Sequence, residues 1–157
     1  MRKEIIDISK ADLTQIGKVY HLDRAANSGV GWESTISSDP PVKGNCKIGF
    51  VRSIQLPVSV EKMERHLTTE EAMIAASDDI VVALAPATGG KADDAPDIKD
   101  LICVLLKPGD VLGVKKGVWH SACYGYRRPA MYYFMFEDLN EPVIWTKIID
   151  GPCEIRL

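Results

Sequence analysis

Short runs rich in Val, Ile and aromatic residues recur along the chain with Gly, Pro, Asp and Ser between them, and that rhythm constrains the fold more than any other feature. The runs cover residues 46–54, 58–66, 79–85, 100–106, 110–114, 130–136 and 143–149. β-Branched and aromatic side chains suit a pleated, half-buried surface. Several such runs, with turn residues separating them, predict an all-β barrel or sandwich. At 157 residues the chain has the size of one domain with one core, so residues 1–157 are read as a single domain. Hydrophobic residues make up 46% and charged residues 26%, an ordinary globular balance that excludes a disordered or low-complexity chain. The polar stretch from Pro86 to Pro96, with Gly89-Gly90 and Asp93-Asp94, reads as a hairpin loop, because the strands on either side need each other's pairing.

Two segments carry helical signals. Ser9-Lys-Ala-Asp12 resembles a capping box, Leu13 and Ile16 share a face, and Gly17 follows as a stop, which predicts a short N-terminal helix over residues 10–16 at the edge of the molecule. Thr68 to Ala76 is rich in Ala, Glu and Met, and Thr68 with Glu71 has capping-box spacing. By propensity alone this segment is a helix. Its place between the residues described next favours a strand in its second half.

Composition excludes several classes of function. Nineteen Lys and Arg residues against 22 Asp and Glu leave a net charge of -3, with no basic footprint for nucleic acid. The longest apolar runs, Ile80 to Ala87 and Leu101 to Leu106, are far short of the roughly 20 residues a membrane helix needs. Met1-Arg2-Lys3-Glu4 leads into Asp7 and Lys10 with no apolar stretch of a secretory signal, so a cytoplasmic protein is expected. Cys46, Cys103, Cys123 and Cys153 form no C-x-x-C pair, which argues for reduced, mostly buried thiols over a zinc ribbon or a disulfide framework.

The chemistry-bearing residues fall in two stretches. Glu64 and His66 are two apart, so on a strand both leave the same face while Arg65 leaves the other. Glu71 follows beyond a turn, where its carboxylate can come round to the same side. Farther on, Gly109 and Gly117 mark turns before His120, whose face Val118 shares. Two imidazoles and two carboxylates, His66, His120, Glu64 and Glu71, are a reasonable donor set for a divalent ion such as Mn, Fe, Ni or Zn. The bland alternatives are a buried, hydrogen-bonded His66, a helix-capping Glu71, a solvated turn at Lys115 and Lys116, and Trp119 as a core anchor. In Tyr132-Tyr-Phe-Met-Phe136 alternate residues should face the interior, and one of the two tyrosines could donate a hydrogen bond to a ligand.

These stretches resemble the two motifs of the cupin superfamily, H-x-H-x(3,4)-E and G-x(5)-P-x-G-x(2)-H. The first is present as Glu64-x-His66-x(4)-Glu71, the second as Gly109-x(5)-Lys115-x-Gly117-x(2)-His120. The resemblance implies a double-stranded β-helix barrel with those side chains converging in its mouth. Most of the chain is similar to the ureidoglycolate lyase family, cupin enzymes of allantoin breakdown in purine catabolism. The similarity lies in Ile8-Ser-Lys-Ala-Asp12-Leu-Thr-Gln-Ile-Gly17-Lys-Val19, in Glu64-Arg-His66-Leu-Thr-Thr-Glu-Glu71-Ala-Met, in Pro96-Asp97-Ile-Lys-Asp-Leu101, and in Gly113-Val-Lys115-Lys-Gly-Val-Trp119-His120-Ser121. The chain departs from the family pattern at Glu71 (Gln), Lys115 (His), Lys116 (Arg) and Ser121 (His).

What the resemblance implies is an amidine-type carbon–nitrogen lyase that cleaves a small anionic hemiaminal, ureidoglycolate, to glyoxylate and urea. Such chemistry needs a base, an acid and an anion clamp. His120 or His66 is then the base, Glu64 or Glu71 its partner or the acid, and Lys115 the clamp on the substrate carboxylate. A homodimer, as is common for such barrels, is also implied. The alternatives are a metal-dependent cupin isomerase of a sugar or sugar acid, using the same four ligands, and a cupin that binds a small ligand without catalysis.

Overall fold

The computed structural model describes residues 1–89, 94–140 and 142–157. Strands dominate it, as the spacing of the apolar runs predicts. A five-stranded antiparallel sheet runs in the order Gly17–His21, Asp110–Val114, Glu71–Ala75, Ala130–Glu137 and Cys46–Ser53. A seven-stranded sheet runs Ile144–Lys147, Lys62–Arg65, Trp119–His120, Ile80–Ala85, Ile102–Leu106 and Ile5–Asp7, with Tyr124–Gly125 also pairing on Ile80–Ala85. Met73, Ala75, Leu112, Val114 and Tyr132 from the first sheet and Ile80, Val82, Leu84, Val104 and Leu106 from the second form one buried cluster between them. This is the all-β, cupin-type barrel that the resemblance implies.

The strand Ile80–Ala85 is buried along its whole length. Its even-numbered side chains join the interior cluster, while Val81, Ala83 and Ala85 join a second one with Val58, Val60, Cys153 and Ile155. A three-stranded sheet of Arg2–Lys3, Cys153–Ile155 and Val58–Val60 supplies that outer cover. A strand covered on both faces has no use for polar alternation, which is why this run reads as continuously apolar.

The segment with conflicting signals is a strand, Glu71–Ala75. Met73 and Ala75 point into the main core, and Ala72 packs with Val42 and Val111 on the other side. Burial of alternate residues on two faces overrides the helix propensity of Ala, Glu and Met.

The N-terminal helix differs from expectation. The helical turn is a 3-10 turn at Ile8–Lys10, capped by Asp7. Residues 10–16 do not form a helix, because Asp12 accepts a hydrogen bond from the Thr14 amide and Ile16 and Gly17 both donate to the Leu13 carbonyl, closing a separate turn. Nor is this an edge piece, since Ile8 and Ile16 belong to the main core. Gly17 opens a strand, where a Cβ would lie 1.8 Å from the Gly113 carbonyl oxygen. It is glycine because two backbones touch there, not because a helix stops.

Smaller differences have local causes. The run 58–66 is two strands, Val58–Val60 and Lys62–Arg65, belonging to different sheets. Asp100 ends a 3-10 turn, Ile98–Asp100, before the strand Ile102–Leu106. That strand pairs antiparallel with Ile80–Ala85, consistent with a hairpin connection, although Gly90 and Asp93 of the expected loop lie outside the described residues. Cys103, Cys123 and Cys153 are buried free thiols and Cys46 is half-buried. Among the described residues no helix is long and apolar enough to cross a membrane.

Candidate functional site

Glu64 and His120 are register partners on adjacent strands of the seven-stranded sheet, so their side chains leave the same face side by side. His66 follows the strand Lys62–Arg65, and its carbonyl accepts a hydrogen bond of 2.7 Å from the Gly117 amide. Gly117 has φ +77°, a left-handed conformation that favours glycine, and the turn it closes precedes His120. Glu71 comes from the facing sheet, where it pairs with Val114 and Phe136. The two motif stretches therefore meet side by side in one sheet, with Glu71 facing them from the other. Arg65 points the opposite way, with its guanidinium 4.2 Å from the Trp119 ring centroid in the outer cluster. Trp119 is thus the core anchor, its indole N–H donating to Thr88 Oγ1.

The distances are short. His66 Nε2 lies 2.9 Å from Glu71 Oε2, and His120 Nε2 lies 3.4 Å from the same oxygen and 3.7 Å from Glu64 Oε1. The two imidazole rings stack with centroids 5.5 Å apart. Side-chain exposure falls from 20% at Glu64 through 12% at His66 and 10% at Glu71 to 2% at His120, so the group descends from a cavity to a closed floor.

That gradient sets the protonation states. Burial pushes the Glu64 carboxyl up, and its attraction to His120 only partly offsets that, so it sits above the usual carboxylate range. Burial pushes Glu71 the same way, but the His120 and His66 rings outweigh it and bring Glu71 down to about 2. For His120 burial works downward, and the charges of Glu71 and then Glu64 more than reverse it, holding the imidazole above its ordinary value. Two neighbouring carboxylates are thereby driven apart, one ready to take up a proton and one fixed as an anion.

The donor set fits a divalent cation. His120 Nδ1 faces the Val118 carbonyl at 3.2 Å, and a carbonyl can only accept, so Nδ1 carries the hydrogen. Nε2 then turns to the cavity floor, fully buried and without a hydrogen bond, its two carboxylate neighbours standing off as charges. A ring nitrogen aimed by a backbone acceptor on its far side is how metal-ligating histidines are oriented. Ligand atoms of Glu64, His66 and His120 all lie within 4.8 Å of one another. The separations of 2.9 to 3.7 Å around Glu71 Oε2 and His120 Nε2 are close to the roughly 3 to 3.5 Å expected between neighbouring ligands of one small ion.

Above the floor opens a cavity of about 550 Å³. Its lining combines polar Glu64, His66, Thr69, Glu71, Tyr132, Glu137, Asp138 and Asn140 with apolar Val51, Phe134, Phe136, Leu139, Pro142 and Val143, and Phe136 stands beside Glu71 in register. The alternation of Tyr132, Phe134 and Phe136 is visible in the sequence. Glu137 to Asn140, Pro142 and Val143 carry no signal in the sequence that could have placed them there. Tyr133 lies on the outer face and is exposed, while the Tyr132 hydroxyl accepts a hydrogen bond from the Cys123 amide.

Lys115, the expected carboxylate clamp, is not brought to this cavity. It follows the strand Asp110–Val114, its amide donates to the Ile16 carbonyl, and its exposed Nζ reaches the Thr14 carbonyl at 2.6 Å. Lys116 is exposed as well. Ser121 is built into the sheet, accepting from the Ala83 amide and donating to the Ala122 carbonyl.

A family model described as ureidoglycolate lyase matches residues 8–145. No curated protein matches the chain by sequence. Among solved structures the chain is similar to the WlaRB TDP-quinovose 3,4-ketoisomerase from Campylobacter jejuni, with TM-score 0.53 and 13% identity over 83% of this chain and 91% of that one. It is also similar to a dTDP sugar isomerase from Desulfovibrio desulfuricans G20, with TM-score 0.51 and 15% identity over 85% of this chain and 82% of that one. At such identities the likeness shows the barrel fold and not the reaction.

Proposed function

Because the chain belongs to the ureidoglycolate lyase family, we propose that it is a carbon–nitrogen lyase acting on a small α-hydroxy acid of the ureidoglycolate type at the floor of the cavity. The observation that carries this reading is the convergence of two carboxylates, Glu64 and Glu71, with two imidazoles, His66 and His120, at the floor of the cavity.

The reaction removes the hydroxyl proton, breaks the C–N bond as the aldehyde of glyoxylate forms, and returns a proton to the nitrogen of departing urea. Glu64 is the group suited to both transfers. It is the most open of the four, and its raised pKa brings it toward neutrality, where a base that must later act as an acid works best. Glu71 stays ionised and keeps both rings turned inward. His120, locked by the Val118 carbonyl, offers Nε2 to the reacting centre. His66, His120 and Glu71 would hold a divalent ion, which when bound supplies charge compensation for the substrate carboxylate and polarises its hydroxyl, while Glu64 at the open edge of the group keeps its carboxyl for the proton transfers. That role answers a specific need, since among the described residues no lysine or arginine lines the cavity.

Release of glyoxylate and urea from ureidoglycolate tests the reading. Wild-type protein should produce both in equal amounts, and Glu64→Gln should lower kcat by about a hundredfold or more with an unchanged melting profile. A folded Glu64→Gln protein with wild-type turnover would overturn it. Metal analysis of untagged protein, with a stoichiometric ion lost in His120→Ala, tests the ligand assignment.

A further inference from the structure

The cavity is larger and more apolar than ureidoglycolate requires. Its 550 Å³ falls in the range that encloses drug-sized ligands, and a small hydroxy acid bound at the Glu64, His66 and His120 end leaves most of it unfilled. The aromatic lining begins directly beside that head group, since Phe136 is the register partner of Glu71, and continues through Phe134 to the apolar Val143. The Phe134 and Phe136 rings stack at 5.9 Å with 15° between planes, presenting one continuous aromatic wall. That wall is set by the backbone. On the paired strand, Gly49 lies directly opposite Phe134, and a Cβ there would come within 2.4 Å of its ring, so the missing side chain is what lets the ring lie flat. The polar groups beside the wall, Glu137 and Asp138, are acidic, and Asp138 is paired with Lys47. A second anionic group at this end of a ligand would meet repulsion, whereas an uncharged planar group would bury apolar surface at no electrostatic cost.

We infer that the substrate is an N-acylated α-hydroxyglycine whose acyl group is apolar and planar, with that group packed on Phe134 and Phe136. The inference rests on the lyase reading for the hydroxyglycine head and on the cavity wall for the acyl tail. The chemistry balances as before: the hydroxyl proton leaves, the C–N bond breaks, glyoxylate forms, and the departing amide nitrogen takes up the proton.

Binding separates head from tail when the reacting hydroxyl is removed. Hippurate (N-benzoylglycine) and hydantoate (N-carbamoylglycine) are the unreactive counterparts of a benzoyl and a carbamoyl substrate. Calorimetry on the protein as purified should show hippurate bound at least about tenfold tighter. That preference should fall toward unity in Phe134→Ala and in Phe136→Ala, the second ring lying outside the packed core and so removable without unfolding. Glyoxylate release is then measured from N-benzoyl-α-hydroxyglycine and from ureidoglycolate. A benzoyl preference that depends on Phe136, with neither hydroxy acid cleaved, supports the aromatic subsite and overturns the lyase reading. Cleavage of ureidoglycolate with hydantoate bound as tightly as hippurate leaves the lyase reading standing and overturns this inference. Binding of neither analogue also overturns it.

Discussion

Glu71 is the residue on which the electrostatics of the site turn, because it alone comes within 3.4 Å of both imidazoles. Replacing it by Gln keeps the shape and removes the charge. His120 is then left with burial as its dominant influence, so its imidazole should titrate below the ordinary value of 6.5 instead of above it, as followed by NMR. An unchanged His120 titration in Glu71→Gln would refute the pairing. The same group makes the stability of the metal-free protein depend on pH. Glu71 has a folded value of about 2 against 4.5 ordinarily, so its contribution is complete above pH 4.5 and is lost as the pH falls toward 2. His120 has the opposite sign, its contribution being complete below 6.5 and lost as the pH rises through its elevated folded value. Glu64, raised from 4.5 by burial, begins to cost stability as the pH passes 4.5 and so draws the maximum toward the acid end of the range between these limits. Urea midpoints of chelator-treated protein should therefore peak between pH 4.5 and 6.5, and a flat profile from about pH 3 to about pH 9 would contradict the assignment. Lys115→Ala, by contrast, removes only an exposed contact to the Thr14 carbonyl. It should shift stability by no more than about 0.5 kcal/mol and leave lyase turnover intact. A large loss of turnover would return Lys115 to the site.

At the scale of elements, the placement of the site depends on where backbones touch. Gly17 sits on the edge strand Gly17–His21, where a methyl group would strike the carbonyl of Gly113 at 1.8 Å, and a backbone oxygen cannot rotate aside. Gly17→Ala should destabilise by about 2–3 kcal/mol or more in urea unfolding, while Gly89→Ala, which meets nothing closer than 3.9 Å, should be nearly neutral. Equal effects of the two would contradict the close approach. The turn ending at Gly117 was legible as a motif, and its φ of +77° gives the reason, since it lets the Gly117 amide reach the His66 carbonyl and so couples the two stretches that carry the imidazoles. The 3-10 turn at Ile8–Lys10 was not legible, because capping signals at Ser9 and Asp12 are equally satisfied by two small turns and only the burial of Ile8 and Ile16 decides between them.

Across the whole molecule, two apolar layers share the strand Ile80–Ala85, and the outer layer depends on the C-terminal strand Cys153–Ile155. Ending the chain at Asp150 should uncover Val81, Ala83 and Ala85, lower the melting temperature and produce binding of a hydrophobic dye, whereas a truncated protein that melts as the full chain does would show the outer layer to be dispensable. The sequence by itself determined the strand-rich class and the same-face pairing of Glu64 with His66. These are consequences of side-chain periodicity and spacing, which are local. Tertiary structure alone decided that Lys115 leaves the cavity while Phe134, Phe136, Leu139 and Val143 line it, and that Glu64 and Glu71 differ in protonation. Those outcomes follow from distances between residues far apart in the chain and from how deeply each charge is buried, and neither quantity exists until the sheets have closed on one another.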